Sequence, residues 1–272
     1  MSYLLETRGL TKRFGRGAGA QMAVDAVNLH VGEGQVYGLL GPNGAGKSTT
    51  LKMLTGMLRP TDGQILFDGH PWSRVDLYHI GSLIETPPLY SNLTAFENLR
   101  VRTTLLGLPE RRIGEVLVTV GLTGTGKKRV GQFSLGMKQR LGIALALLAS
   151  PRLLILDEPT NGLDPIGIEE LRGLIRGLPS QGITVIVSSH ILAEVSQVAD
   201  HIGIITEGRL AHEGPLTPGV DLEALFMQVA RGARATASGG GAGEAFSGAG
   251  TFAQGSGHEG SRSLTSSNGG AR

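Results

Sequence analysis

Two short runs of residues carry the chemistry. The first, GPNGAGKST, fits the pattern G-x-x-x-x-G-K-[ST] at every fixed position. Gly41, Gly44 and Gly46 let the backbone wrap closely around phosphates, so that amide N–H groups point inward. A helix that opens near Lys47 adds the partial positive charge of its N-terminus. The whole run (Gly41, Pro42, Asn43, Gly44, Ala45, Gly46, Lys47, Ser48 and Thr49) is therefore expected to bind a nucleotide. Lys47 is expected to reach the β- and γ-phosphates, and the Ser48 hydroxyl is suited to be a Mg²⁺ ligand. The second run, LLILDEP, is an apolar stretch that ends in two carboxylates, Asp157 and Glu158. In α/β proteins such strand ends form the edge where ligands bind. Asp157 is expected to contact Mg²⁺, mostly through its water shell, and Glu158 to orient and deprotonate the attacking water. An apolar run ending in Asp-Glu is common by itself. Behind a complete phosphate loop it specifies a P-loop nucleoside triphosphatase.

The surrounding elements must bring these runs together. Residues 35–40, 152–156, 183–189 and 201–206 are short apolar runs that read as buried strands, and 47–58, 164–178 and 191–198 read as helices. Their alternation predicts an α/β fold with a largely parallel sheet. The stretches YLLETRGL, AVDAVNLHV and GQILFDG resemble antiparallel strands, whereas residues 86–150 read as a helical subdomain. From Arg231 the chain is rich in Gly, Ser and Ala and has almost no apolar periodicity. Residues 1–230 are therefore expected to form one domain and 231–272 a disordered tail. No internal repeat or heptad array is present.

Composition narrows the class. The chain has 272 residues and no cysteine, which excludes disulfides and thiolate metal sites and suits a reducing compartment. No signal segment is evident, and the apolar run at 141–149 is far too short to span a bilayer. The net charge is +2. Four arginines and two glutamates beyond residue 230 account for all of it, so residues 1–230 are neutral. With no basic stripe, RNA motif or aromatic platform, no nucleic-acid partner is expected. The remaining histidines lack metal-ligand spacing, and Trp72, Arg111 and Arg112 read as surface residues.

Three further elements sharpen the class. FSLGMKQRL precedes the apolar stretch 141–149, DEPTNGLDP follows the carboxylates, and His190 ends the run ITVIVSS. In this order they resemble the ATP-binding subunits of ABC transporters over residues 3 to about 215. The resemblance implies a RecA-like P-loop core with an antiparallel β subdomain and a helical subdomain. It makes FSLGM the signature motif, where Ser134 and Gly136 keep the common pattern and Leu135 and Met137 depart from it. It makes Asp164 the D-loop aspartate, His190 the switch histidine, and Phe14 the aromatic that stacks on adenine. Blander readings stay open: Ser134 and Asp164 also suit helix starts, His190 a strand end and Phe14 the core.

Most relatives carry glutamine where this chain has Glu85, at the junction of core and helical subdomain. There the side chain touches Mg²⁺ and the attacking water, and its loop faces the membrane subunit. Glu85 followed by TPPLYSNLT is similar to the lantibiotic-protection exporters and their bacitracin-exporter relatives. On that resemblance Glu158, His190 and Glu85 form the catalytic set, and Ser48, Asp157 and Glu85 the metal set. Expected cofactors are ATP and Mg²⁺. Expected partners are a second copy of the chain, with ATP sandwiched between the two, and separate transmembrane permease subunits. The location would be the inner face of the cell membrane. An exporter of another drug or lipid, or a soluble ABC ATPase without a transporter, are the alternative readings.

Overall fold

Long strands at the amino terminus build the first layer. In chain order the elements begin with β1 (Tyr3–Phe14), β2 (Gln21–Val27), β3 (His30–Gly32), β4 (Val36–Leu40), α1 (Lys47–Leu54), β5 (Asp62–Phe67), β6 (His70–Pro71) and β7 (Ile80–Leu83). They continue with α2 (Ala95–Leu106), α3 (Arg111–Thr119), α4 (Leu135–Leu147), β8 (Leu153–Asp157), α5 (Pro165–Gly177), β9 (Thr184–Ser189) and α6 (Leu192–Val195). The last are β10 (His201–Thr206), β11 (Arg209–Pro215) and α7 (Leu222–Ser238). This computed structural model describes residues 3–217 and 219–238.

Strands β2, β1, β5 and β6 form an antiparallel sheet in that order, with β3 also paired to β1. The second sheet has the order β11-β10-β4-β9-β8-β7, parallel except for the β10–β11 hairpin. Its central strands are buried on both faces, which is why they read as unbroken apolar runs rather than alternating ones. Leu154, Leu156, Val185 and Val187 face a core shared with Leu99, Ile113, Leu141 and Leu171 of the helices. Their neighbours Leu153, Ile155 and Ile186 point the opposite way, into a core shared with Leu5, Val31 and Phe67 of the antiparallel sheet. The expected α/β core, antiparallel layer and helical region are all present.

Several expectations change in detail. Helix α1 ends at Leu54 rather than residue 58, because Gly56 turns the chain at φ +69°. Trp72 is not a plain surface residue: its ring covers Gly56 and packs against the core beneath the antiparallel sheet. Arg112 is also structural, since its guanidinium donates to the carbonyls of Leu147 (3.1 Å) and Leu148 (3.2 Å). This satisfies the Leu148 carbonyl at the end of α4 and adds a second donor to that of Leu147, which Ser150 N already reaches at 3.0 Å. The edge strands β7 and β11 lie outside the strands expected from the sequence.

The expected boundary at residue 230 falls inside α7, which continues to Ser238. Leu222, Leu225, Phe226 and Val229, at helical spacing, pack with Leu40, Val195 and Ile202. The expectation of disorder is thus corrected for 231–238; residues 239–272 lie outside the described part of the structure.

Candidate functional site

The register of three adjacent strands assembles the site. Leu40 pairs with Ser189, and Ser188 with Asp157, so β4, β9 and β8 end in one row. The residues that follow them, Gly41, His190 and Glu158, emerge together at that edge. Strand β9 lies between the two motif-bearing strands although it comes last in sequence.

Beyond β4 the loop 41–46 turns into α1. Gly46 has φ +106°, and a Cβ there would sit 2.5 Å from the Ala23 carbonyl oxygen. Only glycine satisfies both the backbone and the space. The loop is braced from the far hairpin: Gly208 N donates to Ala45 O at 3.0 Å, and Asp25 N donates to Gly208 O at 2.8 Å. A cleft of about 340 Å³ opens here, lined by Asn43, Gly44, Gly46, Lys47, Ser48, Thr49 and Glu158. Gln21, Met22, Ala23, Glu207 and Gly208 complete its wall. Sequence reasoning missed these five, and no local pattern marks them.

The Lys47 ammonium is buried. It donates to Gly41 O (2.8 Å) and Pro42 O (3.3 Å) and lies 3.1 Å from Glu158 Oε1. The other Glu158 oxygen lies 2.5 Å from His190 Nδ1. Glu158 is therefore clamped between two basic groups. Burial pushes its pKa up, but the hydrogen bonds and charges of His190 and Lys47 outweigh that and hold it below the ordinary carboxylate value. Its backbone N–H donates to Ser188 Oγ (2.9 Å), which in turn donates to Asp157 Oδ1 (2.6 Å). Glu158 also sits at φ +47°, a region that non-glycine residues seldom occupy.

Glu85 follows β7 at φ +61° and lies 2.5 Å from Lys52 Nζ through Oε1. Lys52 is one helical turn beyond Ser48, so the two share a face of α1. Glu85 thus stands beside the cleft without lining it. Phe14 ends β1, is 44% exposed, and pairs with the cleft residue Gln21. It is a rim residue and not a core one. Lys12 Nζ lies 5.3 Å from its ring centre.

Ser134 and Asp164 cap helices as well as standing in their motifs. Ser134 Oγ accepts from Met137 N (3.2 Å), and Asp164 Oδ1 accepts from Gly167 N (2.8 Å). The two caps are neighbours, because Leu135 packs against Gly162 and Leu163 approaches Gly136. Neither Ser134, Gly136 nor Asp164 lines the cleft that holds Lys47. The site residues thus fall into two groups, one around the phosphate loop and one at the α4–α5 corner.

A phosphate loop, a strand-end Asp-Glu pair and a separate capped-helix corner on this two-sheet fold define an ATP-binding cassette. Residues 24–161 match the profile of the ABC transporter family, and the chain belongs to that family as one of its ATP-hydrolysing cassettes. It is 52% identical over 223 residues to the lantibiotic transport ATP-binding protein SrtF of Streptococcus pyogenes, covering 82% of this chain and 96% of that protein. It is 52% identical over 220 residues to the bacitracin transport ATP-binding protein BcrA of Bacillus licheniformis, covering 79% of this chain and 71% of that one. Among solved structures it resembles the ATP-binding subunit of an ABC transporter, with TM-score 0.71 and 33% identity over 83% of this chain and 99% of the other. It also resembles a dimeric ATP-binding cassette in a post-hydrolysis state with ADP and Pi, with TM-score 0.69 and 27% identity over 78% and 99%.

Proposed function

We propose that this chain hydrolyses ATP to drive export of a lantibiotic or related antimicrobial peptide through separate membrane subunits, and so protects the cell that carries it. The observation that carries the hydrolytic part is the Glu158 carboxylate, held by Lys47 on one oxygen and His190 on the other. The cargo rests on similarity to the transport proteins named above and on Glu85 with its proline-containing loop.

In this reading Lys47 and the inward amides of the loop neutralise the phosphates and hold the γ-phosphate in line with the attacking water. Glu158 orients that water and accepts its proton, and its depressed pKa keeps it ionised for the task. His190 fixes the orientation of the Glu158 carboxylate. The residues also fit Mg²⁺: a hydroxyl at Ser48 and a carboxylate at Asp157 that is itself oriented by Ser188 are hard oxygen donors. Glu85, which is paired with Lys52 and does not line the cleft, would have to leave that pair to add a third. When bound, the ion would supply charge stabilisation for the phosphates during transfer. Phe14 would stack on the base.

Ser134, Gly136 and Asp164, set apart from the chain's own phosphate loop, would serve the nucleotide bound by a second copy. Such a pair has two equivalent composite sites. Among the described residues no helix is long and apolar enough to cross a membrane. In this reading the membrane path is supplied by separate subunits, and this chain would sit on the inner face of the membrane. A groove of about 610 Å³ beside the Glu85 loop, lined by Tyr78, Pro88, Tyr90, Val101 and Leu105, offers an apolar surface for them.

The test is resistance measured beside turnover. Expressed with its membrane subunits in a sensitive host, the wild-type chain should raise resistance to a lantibiotic or bacitracin-like peptide. Glu158→Gln should abolish that resistance and slow ATP hydrolysis by about 10²–10⁴-fold while ATP still binds. Full turnover in this variant would remove Glu158 from the mechanism. Active hydrolysis with no peptide resisted would leave the transport ATPase standing and overturn the cargo.

A further inference from the structure

One buried carboxylate near the site has no part in the mechanism above. Glu194 lies on α6 and is 8% exposed. Among the described residues no cation stands within ion-pair distance of it. Its Oε2 accepts from Thr160 Oγ1 at 2.5 Å and, more loosely, from Ser189 Oγ at 3.4 Å. A leucine would fill such a place without the cost of burying a carboxylate, which demands partners to be tolerated.

The two partners lead to the two halves of the site. Ser189 Oγ also accepts from Ile191 N at 2.9 Å, so its hydroxyl braces the turn that carries His190. Thr160 stands two residues after Glu158, and its carbonyl accepts from Leu163 N at 3.1 Å in the turn that leads to Asp164. The element that holds Glu194 is itself fixed. Gly38 of β4 is so closely covered by Val195 that a Cβ there would lie 2.2 Å from Val195 Cγ1. Glu194, on a helix seated against the phosphate-loop strand, thus uses one oxygen to hold the turn after Glu158 through Thr160. The same oxygen holds the turn bearing His190 more loosely, through Ser189, whose hydroxyl lies equally far (3.4 Å) from Ile191 O.

We propose that Glu194 is a positioning residue for ATP hydrolysis: through Thr160 and Ser189 it keeps the turn after Glu158 and the turn bearing His190 in register. The inference rests on the catalytic reading of Glu158 and His190. It assigns Glu194 no contact with nucleotide. Its removal should therefore affect turnover and not affinity, because misplacing a catalytic pair slows the reaction while phosphate binding by the loop persists.

The experiment uses the full-length chain with Mg²⁺ and ATP, measuring kcat, KM and the thermal melt of each variant. Glu194→Ala should lower kcat by roughly 10- to 100-fold with little change in KM. Glu194→Gln keeps an acceptor oxygen and should retain most of the turnover. Thr160→Val keeps the shape, removes the principal donor, and should reproduce much of the Glu194→Ala loss. Combining Thr160→Val with Glu194→Ala should be far less than additive, since the two share one interaction. If Glu194→Ala fails to fold, Thr160→Val and Glu194→Gln still decide the matter. Wild-type kcat in folded Thr160→Val overturns the proposal. So does a Glu194→Gln variant as slow as Glu194→Ala, or a loss confined to the melting temperature. Glu158→Gln run in parallel separates the two levels. If it hydrolyses ATP normally the catalytic reading itself fails; if it is inactive while Thr160→Val is normal, only the role of Glu194 fails.

Discussion

Glu158 and Glu85 share a backbone feature that no side-chain argument supplies: both are held at positive φ, +47° and +61°. Such non-glycine conformations cost on the order of 1–3 kcal/mol and persist where surrounding structure enforces them, commonly at functional sites. Their surroundings differ. Glu158 is mostly enclosed and fixed on both oxygens, whereas Glu85 is 65% exposed and paired with Lys52, itself 34% exposed. An exposed pair of this kind contributes little to folding, so a double-mutant cycle between Glu85→Ala and Lys52→Ala should show a coupling of less than about 1 kcal/mol in stability. The larger effect is expected in function. Glu85→Gln keeps an oxygen donor and should be mild, and Glu85→Ala should be worse. Normal ATPase activity with lost peptide resistance in Glu85→Ala would place the residue in coupling to the membrane subunits; loss of both would place it in catalysis. If neither changes, Glu85 is a bystander.

At the scale of elements, the phosphate loop depends on parts of the chain far from it. Its geometry requires Ala23 on one side and the Glu207–Gly208 hairpin turn on the other. Gly46 and Gly44 both have positive φ, but only at Gly46 does a Cβ meet backbone, the Ala23 carbonyl oxygen at 2.5 Å; at Gly44 nothing lies within 4 Å. Gly46→Ala should therefore cost about 2 kcal/mol or more in stability and should weaken ATP binding. Gly44→Ala should cost only about 1 kcal/mol, from the backbone alone. Thermal melts and nucleotide titrations of the two variants check this difference. Equal effects would mean that the brace from β2 does not shape the loop. The loop's residues were fully legible in the sequence because their spacing is local. Its brace was not, since Ala45 and Gly208 are joined only by the way the strands stack.

At the scale of the molecule, the site is divided. Lys47, Glu158 and His190 gather at one sheet edge, while Ser134 and Asp164 cap neighbouring helices at another corner. This division predicts complementation between copies. Lys47→Ala alone should lose nucleotide affinity in the monomer. Ser134→Ala should bind ATP nearly normally as a monomer but fail to dimerise and turn over. Mixed chains should regain ATP-dependent dimers with one complete composite site each. Mixtures that form dimers with ATP yet show no such complementary site would overturn the shared arrangement.

The sequence by itself determined the phosphate loop, the strand-end carboxylates, the alternation that builds a parallel sheet, and the order of motifs that marks the family. All of these are encoded over short spans, where residue type and local backbone preference decide the outcome. Even the caps at Ser134 and Asp164 were readable as helix starts. Tertiary structure alone decided that β9 inserts between β4 and β8, which places His190 on Glu158. It also decided that Lys52 answers Glu85, that Arg112 closes the end of α4, and that α7 runs on through residue 230. Each of these rests on contacts between segments distant in the chain. Strand order in a sheet is fixed by packing both faces of every strand at once, and that sum is not carried by any one segment.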